Sequence, residues 1–345
     1  MTEIAQTTLM EQEAREAADV LDRQFAANQS ICETLAARFQ EHPLRLIATC
    51  ARGSSDHAAA YAKYLMETSL GLPVTSSAPS IGSIYGKSMA LNDCLFVVIS
   101  QSGKSPDLVA NVDWAKANGA FVLAVVNVED SPVAERADLV LPLHAGPENS
   151  VAATKTYIAS LAAILQATAY LSGRDDLKAA VKALPGQLRA AAKLDWSKAI
   201  VPLAAADDLL VVGRGLGFGI ALEAALKFKE TSSIHAEAFS SAELMHGPLA
   251  IVRERYPILV FSQEDETRAG VRELVGKLRE KGARVFVAEP GGADQGRLPV
   301  VPDMHPATAP LAMIQSFYLL VNQVALARGF DPDHPPHLRK VTETQ

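Results

Sequence analysis

Residues 44–56 read LRLIATCARGSSD, an apolar run followed directly by a stretch rich in turn and helix-capping residues. The run Leu44–Cys50 has the length and composition of a buried strand, and Ala58–Glu67 after it has the apolar periodicity of a helix. Strand, loop and helix in this order form the repeating unit of parallel α/β proteins. This part of the chain therefore predicts an α/β domain.

The same order of strand, loop and helix returns 162 residues later. Asp208–Val212 (DLLVV) precedes the glycine-rich loop 213–219 and the helical stretch Ile220–Glu230. A second apolar strand, Cys94–Ile99, has its counterpart in Pro257–Phe261. Because strands and helices alternate in both halves, we expect two tandem α/β domains, each a parallel sheet flanked by helices in three αβα layers.

These patterns divide the chain into five expected segments. They are an N-terminal helical arm over 1–40, a first domain over 41–171, a linking helix over 172–200, a second domain over 201–328 and a C-terminal tail over 329–345. The tail is polar and rich in proline and histidine, which by itself is typical of a loose end.

Composition restricts the partners of the protein. A net charge of −7 and a pI near 5.7 argue against nucleic acid, whose backbone needs clustered Lys and Arg, but leave a small phosphate ester possible. The three cysteines, Cys32, Cys50 and Cys94, form no CxxC pair, so we expect buried thiols in a reducing compartment. Residues 1–21 are acidic and amphipathic rather than typical of a signal peptide. We expect no uncharged run that approaches the roughly 18 residues needed to cross a bilayer, and therefore a cytoplasmic protein with no membrane partner.

Hydroxyl side chains are concentrated in the two loops that follow the predicted strands of the first half. They are Ser54, Ser55, Ser100, Ser102 and Ser105. Loops at the carboxyl ends of parallel strands lead into helix N-termini, where anions bind, and Gly103 gives the backbone room to turn. The alternative is that these serines only cap helices, but capping requires fewer of them. We therefore predict an anion cradle, a loop pair able to hold a phosphate.

The second half lacks this cradle. Its equivalent stretch, Glu264–Thr267, carries carboxylates that would repel a phosphate dianion. The glycines of loop 213–219 do not match GxGxxG, so a nicotinamide cofactor is not expected.

The second half instead carries a cluster of ionisable residues. Glu223, Lys227 and Glu230 share one helix face at i, i+4 and i+7, and for Glu223 and Lys227 an ion pair is the simplest interpretation. Glu230 lies at the end of the helix, where a carboxylate can move protons. His246 precedes a Gly-Pro turn and is either incidental or catalytic. Its spacing from His235 does not favour a metal site.

Five stretches together resemble a known family. They are RGSSDHA at 52–58, SQSGKSPD at 100–107, AGPENSVAATKTY at 145–157, ALEAALKFKETSSIHAEAFSSAELMHGPLA at 221–250 and HLRKVTET at 337–344. The sequence resembles tandem sugar-isomerase (SIS) proteins, in particular the isomerase half of glucosamine-6-phosphate synthase and its stand-alone deaminase relatives. The resemblance implies two flavodoxin-like SIS domains.

The resemblance also implies roles for individual residues. The sugar phosphate would be held by Ser55, Ser100, Gln101, Ser102 and Ser105, with Ser54 and Val151 nearby. Glu230 would move a proton between C1 and C2 of the open-chain sugar. His246, contributed by the partner subunit of a homodimer, would assist ring opening. Lys340 would lie at the sugar carbonyl, and no metal or redox cofactor would be required.

Departures from the synthase pattern narrow the expected reaction. Thr2 stands where a nucleophilic Cys is needed, and no glutaminase domain is seen, so ammonia is not expected to come from glutamine. Ala153 replaces a Ser, and the tail reads LRKVTET, which looks closer to the deaminase-type relatives. We expect an amino-sugar phosphate deaminase that converts glucosamine 6-phosphate to fructose 6-phosphate and ammonia through an enediol or enolamine.

Two alternatives stay open. One is an aldose–ketose isomerase or deaminase for another phosphosugar, such as a galactosamine or fructosamine phosphate. The other is a regulatory sugar-phosphate sensor, which would not need Glu230, His246 and Lys340 and would usually carry a basic recognition helix. The chain has all three residues, and its N-terminal arm lacks such a helix, so we favour an enzyme.

Overall fold

The computed structural model of the chain describes residues 7–291 and 296–340. The first six residues of the expected arm and residues 341–345 of the expected tail therefore lie outside the described residues. Two units can be distinguished. The first-sheet unit comprises Asp19–Gly146 and Thr156–Leu184, and the second-sheet unit comprises residues 7–18, Pro147–Lys155 and Pro185–Lys340. The units combine separate stretches of sequence, so the five expected segments remain predictions.

Ten α-helices lie within the described residues. They are α1 Leu9–Glu41, α2 Ser54–Leu70, α3 Pro106–Ala117, α4 Pro132–Arg136, α5 Lys155–Leu171, α6 Asp175–Ala191, α7 Ile200–Ala204, α8 Phe218–Ser232, α9 Arg268–Glu280 and α10 Ala309–Ala327. Short 3₁₀ turns cover Glu243–His246 and Pro248–Ile251, among others. Helix α6 ends at Ala191, before the expected end of the linking helix at 200, and a short 3₁₀ turn over Ser197–Ala199 follows, where the Asp195 carboxylate accepts the Ser197 N–H at 2.8 Å.

The first-sheet unit contains a five-stranded parallel sheet. Its strands are β1 Leu46–Cys50, β2 Val74–Ser76, β3 Cys94–Ser100, β4 Phe121–Val126 and β5 Leu139–Pro142, in the order β2-β1-β3-β4-β5. All seven residues of β3 are buried, as expected for a central strand covered on both faces. Phe96 and Val98 pack in one cluster with Leu108 and Val112 of α3. Complete burial of each such side chain contributes about 1.5–3 kcal/mol.

The second-sheet unit contains a sheet of the same topology. Its strands are β6 Asp208–Gly213, β7 His235–Ser240, β8 Pro257–Phe261, β9 Arg284–Ala288 and β10 Arg297–Leu298, in the order β10-β9-β8-β6-β7. Counted from the first strand of each sheet, both follow the flavodoxin-like order 2-1-3-4-5. The predicted α/β class with two parallel sheets flanked by helices is confirmed.

Helix α10 is long and apolar enough to cross a membrane, judged by length and composition alone. This corrects the expectation that no such stretch is present. Its most apolar window has a mean hydropathy of 1.3, but 83% of that window is buried inside the structure. Phe317 and Tyr318 are completely buried, which is the pattern of a core helix.

The three cysteines are free and buried, as the sequence predicts. Burial raises the pKa of the Cys32 and Cys50 thiols to about 12 and that of Cys94 to about 11. The thiols therefore stay protonated near neutral pH and behave as small apolar side chains.

Candidate active site

The two serine-rich stretches lie side by side at the carboxyl ends of β1 and β3. They are not confined to loops as expected, because Ser54 and Ser55 form the first turn of α2 and Ser100 is the last residue of β3. Strands β1 and β3 are paired neighbours with Cys50 opposite Val98, so the loops that follow them leave the sheet at the same edge. A charged contact joins the loops, because Arg52 Nε donates to Asp107 Oδ2 at 2.9 Å. The Asp107 side chain is completely buried. The predicted cradle is thus one structure built from two loops.

Ser102 and Ser105 of the second stretch are partly exposed, whereas Ser100 is buried. Ser105 stands at the N-cap of α3, but its side chain makes no capping hydrogen bond. Ser100 Oγ accepts the Gly103 N–H at 3.0 Å and Ser102 Oγ accepts the Lys104 N–H at 3.3 Å. A hydroxyl that accepts still has its own proton to donate. The loop therefore offers hydroxyl donors beside the N-terminus of a helix, which favours an anion.

Gly103 is required where this loop packs against the helix beside it. It has a positive φ of 61°, and a Cβ added there would lie 2.0 Å from Ser131 Oγ. The Gly103 carbonyl also accepts the Val133 N–H of α4 at 3.1 Å. The contact with α4 thus fixes the position of the cradle loop, and a residue larger than glycine at position 103 would displace this loop.

The equivalent loop of the second sheet is filled by its own carboxylate. Asp265 accepts Gln263 Nε2 at 2.8 Å and the Thr267 N–H at 2.8 Å. Gln263 and Thr267 stand 162 residues after Gln101 and Ser105 of the first loop. An internal anion takes these donors, which agrees with the expectation that only the first half has a cradle.

Lys227 of α8 forms the predicted ion pair with Glu223 and a second ion pair with Glu230. Lys227 Nζ lies 2.6 Å from Glu230 Oε2 and 3.2 Å from Glu223 Oε1. Tyr318 donates its hydroxyl to Glu223 at 3.2 Å. Burial alone would lower the pKa of Lys227, but the two carboxylates outweigh it and raise the pKa above its ordinary value. Lys227 and Glu223 are fully buried, whereas 22% of the Glu230 side chain is exposed, so Glu230 is the carboxylate that a substrate can reach.

His246 ends the 3₁₀ turn Glu243–His246 rather than lying in an open loop. It is exposed, and its neighbours Met245 and Ile251 expose 40% and 47% of their surface. Its role across a subunit interface stays a prediction.

Lys340 of the tail is docked onto the segment between β5 and α5. Its Nζ donates to Glu148 Oε2 at 2.7 Å and to the Ser150 carbonyl at 2.8 Å. The Glu148 side chain is completely buried, and its other oxygen accepts the Thr154 N–H at 3.0 Å. The tail up to Lys340 is therefore part of the folded unit rather than a loose end.

A second contact of the tail lies at Asp333. Its carboxylate accepts the N–H groups of Leu9 and Met10 at 2.8 and 2.7 Å and so caps helix α1. Its carbonyl accepts the Val151 N–H at 3.3 Å. Val151, predicted to lie near the phosphate, is thus held by the tail.

The predicted site residues fall into two groups. The first-sheet unit contains Ser54, Ser55, Ser100, Gln101, Ser102 and Ser105, and the second-sheet unit contains Val151, Glu230, His246 and Lys340. Arg52, Asp107, Glu148 and Asp333 were not predicted. Glu148 stands inside one of the recognised motifs, but no local pattern marks its pairing with a residue so far along the chain. Within residues 7–291 and 296–340, no group of three His, Cys, Asp or Glu side chains suited to a metal ion is found.

Comparison with known proteins adds an independent line of evidence. The SIS domain profile matches residues 45–170 and 202–288. Glutamine–fructose-6-phosphate aminotransferase (isomerizing) of Symbiobacterium thermophilum is 35% identical over 313 residues, covering 86% of this chain and 51% of that protein. The chain thus spans about half the length of the curated relatives it matches.

Two solved structures share the whole fold. A protein of Silicibacter pomeroyi DSS-3 assigned as a phosphosugar isomerase is 40% identical, with a TM-score of 0.91 over 95% of this chain and 100% of that chain. The C-terminal domain of glucosamine-fructose-6-phosphate aminotransferase from Francisella tularensis is 25% identical, with a TM-score of 0.86 over 97% and 100%. With both sheets, the motifs and these relatives in agreement, the chain belongs to the SIS domain family.

Proposed function

We propose that the protein is an amino-sugar phosphate deaminase that converts glucosamine 6-phosphate to fructose 6-phosphate and ammonia. The observation that carries the proposal is the state of Glu230, a partly exposed carboxylate held 2.6 Å from a fully buried ammonium. A carboxylate fixed in this way is suited to repeated proton transfer. The names of the relatives, which include an isomerizing aminotransferase and a phosphosugar isomerase, support the same class of substrate.

The substrate phosphate is assigned to the cradle. Ser55, Ser102 and Ser105 supply hydroxyl donors, and the N-termini of α2 and α3 add favourable dipoles. Because the phosphate takes no part in the reaction, the free energy of its binding serves to orient the reacting carbons.

The proton transfer is assigned to Glu230. After ring opening, Glu230 takes the proton from C2 of the aldehyde form, the C1–C2 bond becomes double, and the electron pair moves onto the C1 oxygen, which takes a proton from water. Return of a proton to C1 converts this enolamine to an imine at C2. Water adds to that imine, ammonia leaves, and the C2 ketone of fructose 6-phosphate remains. Lys340 is assigned to the sugar oxygen at the reacting carbons, where its ammonium stabilises developing negative charge.

We also propose a cytoplasmic homodimer in which the partner subunit supplies the histidine that assists ring opening. The exposed position of His246 beside Met245 and Ile251 supports this assignment. Light scattering would contradict it if a fully active monomer of about 37 kDa, the mass of one chain (36.7 kDa), were found at working concentration.

An aldose–ketose isomerase for another phosphosugar is the second candidate. The 40% identity to the Silicibacter protein favours it, and it would use the same cradle and the same C1–C2 proton shift. The two candidates differ in the phosphosugar that is bound and in whether nitrogen is released.

The test is a coupled assay for ammonia and fructose 6-phosphate, run on glucosamine 6-phosphate, galactosamine 6-phosphate and a fructosamine phosphate. Equal release of both products from glucosamine 6-phosphate, lost in Glu230→Gln and Lys340→Ala but kept in Lys229→Ala, supports the proposal. Lys229 is the matched control because it lies exposed on the same helix. Aldose–ketose conversion without ammonia would favour the isomerase, and tight binding without turnover of any substrate would favour a sensor.

A further inference from the structure

The segment that receives Lys340, residues 147–154, is fixed by groups from two other parts of the same unit. We call it the shelf. Glu13 of α1 accepts the Asn149 and Ser150 N–H groups at 2.5 and 3.1 Å. The carbonyl of Asp333 accepts the Val151 N–H. Three consecutive backbone N–H groups of the shelf are thus held from outside it, so its position is determined by α1 and the tail.

Lys340 uses two of its three ammonium donors on the shelf. The acceptors are Glu148 Oε2 and the Ser150 carbonyl. Among residues 7–291 and 296–340, no third acceptor for Lys340 Nζ is found. With 24% of its side chain exposed, the lysine keeps one donor for a ligand.

Glu148 needs this lysine for electrostatic reasons. A completely buried carboxylate is costly unless it is paired, and the Lys340 ammonium at 2.7 Å pairs with it. A second carboxylate, that of Glu13, lies close to Glu148. Burial raises the pKa of Glu13, and the negative charge of Glu148 raises it as well. Lys155, the other buried cation here, is paired with Glu16 at 2.6 Å. Lys340 supplies a positive charge that contacts Glu148 directly.

We propose that Glu148 is a positioning residue, held on the shelf by Glu13, that presents the Lys340 ammonium with one free N–H to the substrate oxygen at the reacting carbons. The inference rests on the proposed function for the identity of that oxygen. No covalent step is involved: the ammonium donates one hydrogen bond and keeps its proton. The charge of Glu148 fixes where that bond points.

The kinetic test compares Glu148→Gln, Glu148→Asp and Lys340→Ala, with Glu266→Gln as an exposed control on the same unit. Glu148→Gln keeps the size of the side chain but removes its charge, so kcat is expected to fall about 10- to 100-fold, the range for losing a charge-assisted hydrogen bond. KM is expected to change less than about threefold, because the phosphate contacts are untouched. Glu148→Asp keeps the negative charge on a shorter side chain, so its kcat is expected to lie between those of Glu148→Gln and wild type.

The double variant Glu148→Gln/Lys340→Ala separates positioning from a merely structural role. If Glu148 acts through Lys340, the double variant is no slower than Lys340→Ala alone. The proposal would be overturned if the loss of kcat in the double variant equalled the product of the losses in the two single variants. An unchanged kcat in Glu148→Gln would also overturn it.

A second readout needs no substrate. Acetic anhydride labels free amines, and mass spectrometry gives the rate at Lys340 relative to exposed Lys229. Glu148→Gln is expected to raise that ratio at least fivefold and Glu266→Gln to leave it unchanged, with circular dichroism confirming that both are folded. If wild type turns over no phosphosugar, the proposed function fails and the labelling ratio decides alone: a rise supports placement of Lys340 by Glu148, and an unchanged ratio overturns it.

Discussion

The Asp333 carboxylate accepts the Leu9 N–H at 2.8 Å across 324 residues of sequence. The first turn of α1 leaves N–H groups without partners inside the helix, and Asp333 satisfies those of Leu9 and Met10. The tail therefore caps the start of the longest helix, and the hydrogen bonds that hold the tail also stabilise that helix.

Removing this cap should release the tail. Asp333→Ala is expected to lower the free energy of unfolding by about 1 kcal/mol, the usual effect of losing a helix N-cap. Urea denaturation measures this loss. Trypsin cleavage after Arg339, which is exposed in the tail, should become faster at the same time. Glu266→Ala, an exposed acid in the same unit, should change neither quantity, and equal effects in both variants would contradict the cap.

The tail also carries a pH-dependent contact between Asp331 and His334, whose side chains lie 2.9 Å apart. The hydrogen bond to Asp331 raises the pKa of His334 above its ordinary 6.5. A raised histidine pKa means that this stabilisation is fully present below pH 6.5 and is lost as the pH rises through the raised value. Burial opposes the change at Asp331, but its bonds to His334 and Asp333 lower its pKa below 3.8, so the contribution also fades in strong acid.

The NMR titration of His334 should therefore show a pKa above 6.5 that returns toward it in Asp331→Asn. The difference in Tm between wild type and this variant should shrink between pH 6 and pH 8.5. Because His334 is exposed, its ion pair contributes little to stability. A large difference in Tm, or one that grows as the pH rises, would show that another group dominates the pH dependence.

No sequence pattern could have predicted how the tail docks. The motif at 337–344 resembles a family tail and so suggested a role for Lys340, but Asp333 stands outside it in a proline-rich stretch. Its partners are backbone N–H groups at the opposite end of the chain. A contact of this kind depends on tertiary structure alone and leaves no periodicity to detect.

The buried ion pairs of α8 predict a large stability effect at Lys227. Lys227→Met leaves the buried Glu223 carboxylate without a cation, and removing one partner of a buried pair typically costs about 3–5 kcal/mol. Because its pKa is raised, the contribution of Lys227 is complete below its ordinary 10.5 and is lost only as the pH rises through the raised value. Urea denaturation at pH 6 and pH 9 should give the same loss. Lys229→Met is the exposed control, and a comparable loss there would argue against the pairing.

This cluster was predictable because it is local. Spacings of four and three residues place Glu223, Lys227 and Glu230 on one helix face whatever the tertiary structure. Strands β6 and β8 were predictable for the same reason, as apolar runs followed by a glycine or a serine, whereas the polar, partly exposed β7 was not predicted. The burial of helix α10, an uncharged run able to span a membrane, depends on what packs around it and was not predicted.

The packing of the cradle loop predicts that alanine substitution has different effects on KM at two glycines with similar backbone conformations. Gly103 and Gly71 have φ values of 61° and 66°, but an added Cβ meets Ser131 only at Gly103. Both alanine variants should lose about 1 kcal/mol of stability from the strained backbone. Only Gly103→Ala should raise KM for the phosphosugar, by about tenfold, and adding Ser131→Gly should recover much of it. A similar KM change in Gly71→Ala would contradict the role of loop packing.

The central claim is that Glu230 moves a proton between C1 and C2 of a phosphosugar. Proton NMR of fructose 6-phosphate with ammonium in D₂O measures this directly, because return of a solvent deuteron to C1 removes one C1 proton signal. We predict that wild type exchanges one C1 hydrogen and that Glu230→Gln exchanges it about 10²–10⁴-fold more slowly, the usual contribution of a general base. Exchange at the wild-type rate in Glu230→Gln, or no exchange by the wild type, would contradict the account.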